Sequence, residues 1–277
     1  MKSLTKKNNK SLITIYIILG LFILVTLLPY IWLILTSFKR RVDAFAIPPK
    51  IIFSATSANY YDVFIIKGMT KNLWNSLFIM LCSVAISLIL GLPSAFAFSR
   101  FKTKYDSILL NYLLGTKFTP FVVLALPLYL IMSKLHILDT YFGIIVAHVA
   151  FNLPFVIWMM KGFFDSVPKE IDEAARIDGY SWFKVFLRID IPLAKSGIAA
   201  TTIFSAINSW NEFLMALILT GRDTATIPVA VPGLLTPRGT LWGQIAAVGT
   251  VITVPVLIFA IIVQKHMVSG LTMGAVK

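Results

Sequence analysis

Six long apolar runs separate the hydrophilic segments of this 277-residue chain, and no soluble core absorbs runs of that length. A helix crosses a bilayer with roughly 20 apolar residues. The runs at about Leu12–Thr36, Leu73–Phe98, Ile108–Met132, Tyr141–Met160, Gly197–Leu219 and Leu241–Val263 reach that length. Hydrocarbon offers no water to an unpaired N–H or C=O, so the spanning segments are expected to be helices. The fold class predicted is all-α integral membrane: six transmembrane helices with a cytoplasmic two-helix loop. The first run exceeds a signal-peptide core of about 7–15 residues and is followed by no A-x-A site, so it is expected to stay as a span.

Composition agrees. Hydrophobic residues make up 58% and charged residues 13%, against about 25% charged in soluble domains. The net charge of +13 invites a nucleic-acid reading, but that requires a solvated basic face, and these cations lie between apolar runs. No nucleic-acid partner is expected. The single cysteine, Cys82, excludes a disulfide framework and a cysteine-rich zinc site. No metal site is expected, since none of the three histidines pairs with a second at ligand spacing.

The larger share of the cations falls in the N-terminus, around Arg100–Lys104, in the segment 161–195 and at the C-terminus. Cations collect on the cytoplasmic side, which places both termini inside. The predicted organisation is a cytoplasmic N-terminus (1–11), a membrane domain (12–265) that includes a cytoplasmic loop (161–195), and a tail (266–277). Prolines at 29, 93, 120, 127, 154 and 255 fall within spans and are expected to kink them.

The loop carries local signals. Ser166 is placed to cap a helix, with Pro168 in its first turn and Glu170, Asp172 and Glu173 at its positive end. Gly179 suits a left-handed stop. Ser181 then caps a short helix, Trp182–Ile189, which Pro192 is expected to end. The first helix is read as exposing Ala174 and Ala175 beside Glu173 and Arg176. The second offers Trp182, Phe183, Phe186 and Leu187, which fit a membrane surface or a partner's groove equally.

Glu173-Ala174-Ala175, Asp178-Gly179 and Ile191-Pro192 resemble the "EAA" loop of ABC importer permeases, with Asp190 standing where an apolar or neutral residue is usual. Phe151-Asn152-Leu153-Pro154-Phe155, Ser209-Trp210-Asn211-Glu212-Phe213-Leu214, Trp242-Gly243 and Gly270–Lys277 match as well. Together they resemble the carbohydrate-type permeases related to the smaller maltose-transporter membrane subunit. That resemblance implies a coupling helix held in an ATPase cleft, with Glu173, Ala174, Ala175, Asp178 and Gly179 at the contact. It implies a second ATPase contact along the tail at Gly270, Thr272, Gly274 and Lys277. The partners it implies are a second homologous permease, an ATPase dimer and an extracytoplasmic sugar-binding protein. No cofactor is expected on this chain, with ATP and Mg held by the partner subunits.

A charge inside a bilayer costs about 2.5–3.5 kcal/mol on translocon scales, so intramembrane charges are functional candidates. Glu212 and Lys117 are the strongest. On a continuous helix Asn208, Asn211 and Glu212 share one face. With Trp210 and with Asn152, which lies one turn from His148, they suit either a sugar pathway or gate, or interhelical bonding. No G-x-x-x-x-G-K-[ST] loop is present, nor H-E-x-x-H or G-x-S-x-G, so an ATPase, protease or lipase site on this chain has no support. An ion-coupled transporter relaying through Glu212 and Lys117 is the alternative, and it gives the 173–179 segment no role. The expected cargo is a di- or oligosaccharide, with a glycerol-phosphate compound as the other candidate.

Overall fold

The computed structural model describes residues 9–236 and 239–273. In chain order the helices are α1 (Asn9–Ser37), the single turns α2 (Arg41–Ala44) and α3 (Ala58–Tyr61), α4 (Met69–Arg100), α5 (Asp106–Phe118), α6 (Phe121–Lys134) and α7 (Tyr141–Asp165). There follow α8 (Lys169–Ile177), α9 (Trp182–Val185), α10 (Ile191–Leu193), α11 (Lys195–Trp210), α12 (Leu214–Leu219), α13 (Ile227–Ala230) and α14 (Trp242–Met273). A two-residue antiparallel pair, β1 (Leu235–Thr236) and β2 (Gly239–Thr240), joins Leu235 to Thr240 and Thr236 to Gly239.

Among the described residues, four helices are long and apolar enough to cross a membrane: Leu12–Ser37, Met69–Arg100, Tyr141–Asp165 and Trp242–Ile262. They coincide with four of the six expected runs. The other two runs are broken. The run at 108–132 becomes α5 and α6, bent by 96° at Thr119–Pro120. Proline lacks the N–H that would continue the ladder and pushes the preceding residue out of the helical region, and Thr119 is extended at ψ 120°. The run at 197–219 stops at Trp210 and restarts at Leu214. By contrast Pro29, Pro93, Pro127, Pro154 and Pro255 lie inside continuous helices.

The chain divides into two compact units. The first comprises residues 1–68 and 233–254. In it Asn59 donates to the carbonyls of Ser37 and Lys39 at 2.8 Å each, closing the end of α1, and Ser37 shares a hydrogen bond with Tyr60 at 2.8 Å. Gly243 lies against Asn59, where a Cβ would come within 2.6 Å of the amide nitrogen.

The second unit, 69–232 and 255–277, holds the main core. α4, α7 and α11 pack closely because small residues line the contacts. A Cβ on Gly91 would meet Val156 at 2.5 Å, and one on Gly197 would strike the Phe163 ring at 2.2 Å. Gly197, Ala200, Ser205 and Ser209 are all buried, as the small-residue pattern of α11 requires. One apolar cluster gathers Ala95, Phe96, Val156, Met160 and Phe164 with residues of the 161–195 loop, and another gathers Ile79, Met132, Ile144, Ala147, Ala216 and Leu219. At the far end of this unit Asp139 accepts from the N–H groups of Gly221 (2.8 Å), Asp223 (3.2 Å) and Thr224 (3.0 Å) and from the Thr224 hydroxyl (2.8 Å). Burial pushes its carboxyl up, but these donors outweigh burial and hold it below the ordinary carboxylate range.

Candidate functional site

The 161–195 loop folds largely as its local signals direct, with instructive departures. α8 begins at Lys169 with Pro168 as its N-cap, and Ser166 instead ends α7, its hydroxyl donating to the Phe163 carbonyl at 2.6 Å. Gly179 adopts φ +84°, the left-handed stop. Ser181 caps α9 by accepting from the Lys184 N–H at 3.4 Å. Pro192 does not end the second helix. The turn Phe186–Asp190 widens to π geometry, Ile191 N–H reaches back to Phe186, and Pro192 sits in the first turn of α10, where no N–H is needed.

α8 is strongly two-faced. Glu173, Ala174, Asp178 and Gly179 are exposed together, whereas Ala175 turns inward to the Phe96–Phe164 cluster, so the small pair is split between the faces. Trp182 and Phe186 are likewise drawn into this chain's own core. Trp182 packs edge-on to Phe101 at 4.9 Å and Phe186 lies 5.1 Å from Phe96, leaving Phe183 and Leu187 outside. A buried guanidinium, Arg100, joins the end of α4 to Asp172 of α8 and to Asp190 of the π turn. In the sequence Arg100 reads as one of the cations flanking a span. Its only signal was Asp190, out of pattern at the far end of the loop.

Inside the span region the polar residues group differently from a single helical face. The chain leaves the helix at Asn211, so Glu212 stands at the break and accepts from the N–H groups of Met215 (2.8 Å) and Ala216 (3.0 Å), satisfying the free donors of α12. Asn211 turns back, its amide donating to the Ile207 carbonyl at 2.9 Å. Glu212 lies 3.8 Å from His148 of α7. One turn along α7, buried Asn152 donates to Ser209 at 2.8 Å, and Ser209 meets Ser83 of α4 at 3.3 Å. His148, Asn152, Asn208, Ser209 and Glu212, with Phe121 and Phe151, line a cavity of about 10 Å³, room for one water. Trp210 is 1% exposed and belongs to the packed interior. Lys117, in the last turn of α5, lies over Phe151 at 3.3 Å, and no ion pair among the described residues links it to Glu212. Of the tail, Gly270 and Thr272 continue α14 in backbone, while Gly274 and Lys277 lie outside the described residues.

The second unit thus combines long apolar helices, two broken apolar stretches and a charged two-helix loop anchored to α4 and α7. Residues 87–272 match the family model described as "binding-protein-dependent transport system inner membrane component". A probable ABC transporter permease, y4oR of Sinorhizobium fredii, is 40% identical over 91% of each chain. The trehalose transport system permease SugB of Mycobacterium tuberculosis is 33% identical over 91% of this chain and 92% of its own. Among solved structures, a chain of a bacterial ABC transporter involved in alginate import shares the fold, with TM-score 0.76 over 96% of this chain and 99% of that one at 23% identity. The chain belongs to the family of inner-membrane components of binding-protein-dependent transport systems, and is a multi-pass membrane permease of the ABC importer type.

Proposed function

We propose that this chain is the permease subunit of an ATP-driven sugar importer, receiving a di- or oligosaccharide from an extracytoplasmic binding protein. It pairs with a second permease across the path, and separate ATPase subunits hold ATP and Mg. The broken stretches at 106–134 and 195–219 complete six spans, with both termini and the 161–195 loop cytoplasmic. The observation that carries this reading is the loop itself: its inner face is tied to α4 and α7 through Arg100 and the Phe96–Phe164 cluster, while Glu173, Ala174, Asp178 and Gly179 stand out together. A segment rooted in this way is a lever. Closure of the ATPases on ATP pushes the exposed edge of α8, the root passes the movement to α4 and α7, and the path switches from inward- to outward-facing; hydrolysis lets it return. The sugar assignment is supported by the trehalose permease among the relatives and by the uncharged hydrogen-bonding groups around Asn152, Asn208 and Ser209. Gly270, Thr272, Gly274 and Lys277 are assigned to a second ATPase contact, and Asn152, Asn208, Asn211 and Glu212 to the pathway or its gate.

The test is to tag this chain, extract it gently from its own membrane and weigh what accompanies it. Wild type brings a second multi-span protein and a pair of nucleotide-binding subunits. Glu173→Lys loses the nucleotide-binding subunits while its thermal unfolding midpoint stays unchanged. A homo-oligomer without ATPase, or normal co-purification and transport in Glu173→Lys, overturns the reading.

A further inference from the structure

The root of the loop holds one cation and two acids in a dry place. Arg100 binds Asp172 through Nε and Asp190 through Nη2, the latter at 2.8 Å, and no side chain of the three is more than 2% exposed. The other donors are spoken for: Nη1 reaches the Ser99 hydroxyl at 2.9 Å and the Phe164 carbonyl at 2.8 Å, and Nη2 also faces the Val167 carbonyl at 3.4 Å. Each carboxyl therefore keeps one buried oxygen, Oδ1 of Asp172 and Oδ2 of Asp190, that no donor reaches, while both acids are held on the same guanidinium. The next acid, Asp165 of α7, is engaged elsewhere, by Ser99 at 2.7 Å and Lys161 at 2.6 Å. Arg100 and Asp172 are the charged groups that act on Asp190. With both acids ionised the cluster carries a net negative charge among Phe96, Phe164 and Phe186, with two buried anionic oxygens that no donor satisfies. Like charges so placed cannot both persist.

We propose that Asp172 and Asp190 share one proton, making the root of the coupling loop a proton-binding site that reports the pH on its side of the membrane. The proton removes one of the two buried negative charges held on Arg100 and leaves the cluster neutral. Burial pushes the Asp190 carboxyl up to about 7, with Arg100 opposing and Asp172 adding to the rise. A free carboxyl titrates near 4, so the docked loop binds the proton more tightly than an undocked one. Docking is therefore strongest at low pH, weakens as pH climbs to about 7 and changes no further above it. If the loop is the lever proposed above, on which this consequence rests, transport per ATP declines as the proton leaves.

The proton and the lever are tested separately. In the purified complex in lipid nanodiscs, infrared spectra follow the C=O stretch of a protonated carboxyl from one pH unit below to one unit above the transition. The protonated share falls from about nine-tenths to about one-tenth across that interval, and the band is missing in Asp190→Asn, whose amide supplies the missing donor permanently. Asp172→Asn serves the same purpose should Asp190→Asn not accumulate. In proteoliposomes wild type loses transport per ATP over the same interval, and the Asn variant is flat. A wild-type spectrum without the band, or an unchanged titration in the Asn variants, overturns the proton site. A normal titrating band with pH-independent transport keeps the site and overturns its link to the lever.

Discussion

Gly197 shows how a single residue sets the spacing of helices. Its missing Cβ makes room for the Phe163 ring, so Gly197→Val overfills the α7–α11 contact and should cost about 1–3 kcal/mol, read as a lowered thermal midpoint in detergent. Gly162, in α7 itself, has nothing within 4 Å of where a Cβ would sit. Gly162→Ala should therefore be neutral or gain about 0.5–1 kcal/mol from helix entropy, and an equal loss in both variants would show that packing is not the reason for Gly197. Asp139 acts through charge. It adopts φ +52°, which Asn tolerates equally, so Asp139→Asn isolates the loss of the carboxylate. Limited proteolysis within 220–225 should quicken in that variant. Because the native carboxyl is held below its ordinary range, the wild-type hold is complete at neutral and mildly acid pH and is lost only as pH falls through the depressed value.

At the scale of elements, the break between α11 and α12 depends on Glu212. A half-helix inside the membrane presents free N–H groups, and the carboxylate satisfies two of them. Glu212→Ala should destabilise α12 by about 0.5–2 kcal/mol, seen as faster hydrogen exchange at Met215 and Ala216 with α4 unaffected. Exchange at wild-type rates would mean that the break is held by neighbouring packing alone. The loop shows the opposite economy. α8 is defined by its caps and by Gly179, but which face it shows outward is decided by Arg100, Asp172 and the aromatic cluster.

For the whole molecule, the prediction concerns orientation. The distribution of Lys and Arg calls for cytoplasmic termini. A fluorescent protein fused after Lys277 should therefore fold and fluoresce, and alkaline phosphatase fused at His136 should be active outside. The reverse pair of results would invert the topology and place the 161–195 loop beyond the reach of any ATPase.

Much of this was legible without coordinates, for local reasons. Apolar runs, proline and capping residues act within a few positions of themselves, so the four unbroken spans, the stop at Gly179 and the cap at Ser181 follow from the chain alone. The motifs around Glu173 and Ser209–Leu214 were enough to suggest the family that the comparisons then showed. What lay beyond sequence reading depends on residues distant in the chain. Helical spacing put Asn208, Asn211 and Glu212 on one face, but in the folded chain the helix ends at Trp210 and Glu212 caps α12 beside His148. Ala175 and Ala174 are neighbours in sequence, yet the core selected one and left the other to solvent. Arg100 read as a flanking cation until α4 ended next to Asp172 and Asp190, from helices 72 and 90 residues further on. Length and local chemistry determined which stretches are long and apolar enough to cross a membrane and which family the chain joins. Burial of charge, which only the folded chain brings about, decided where the 161–195 loop is rooted and which of its residues stay exposed.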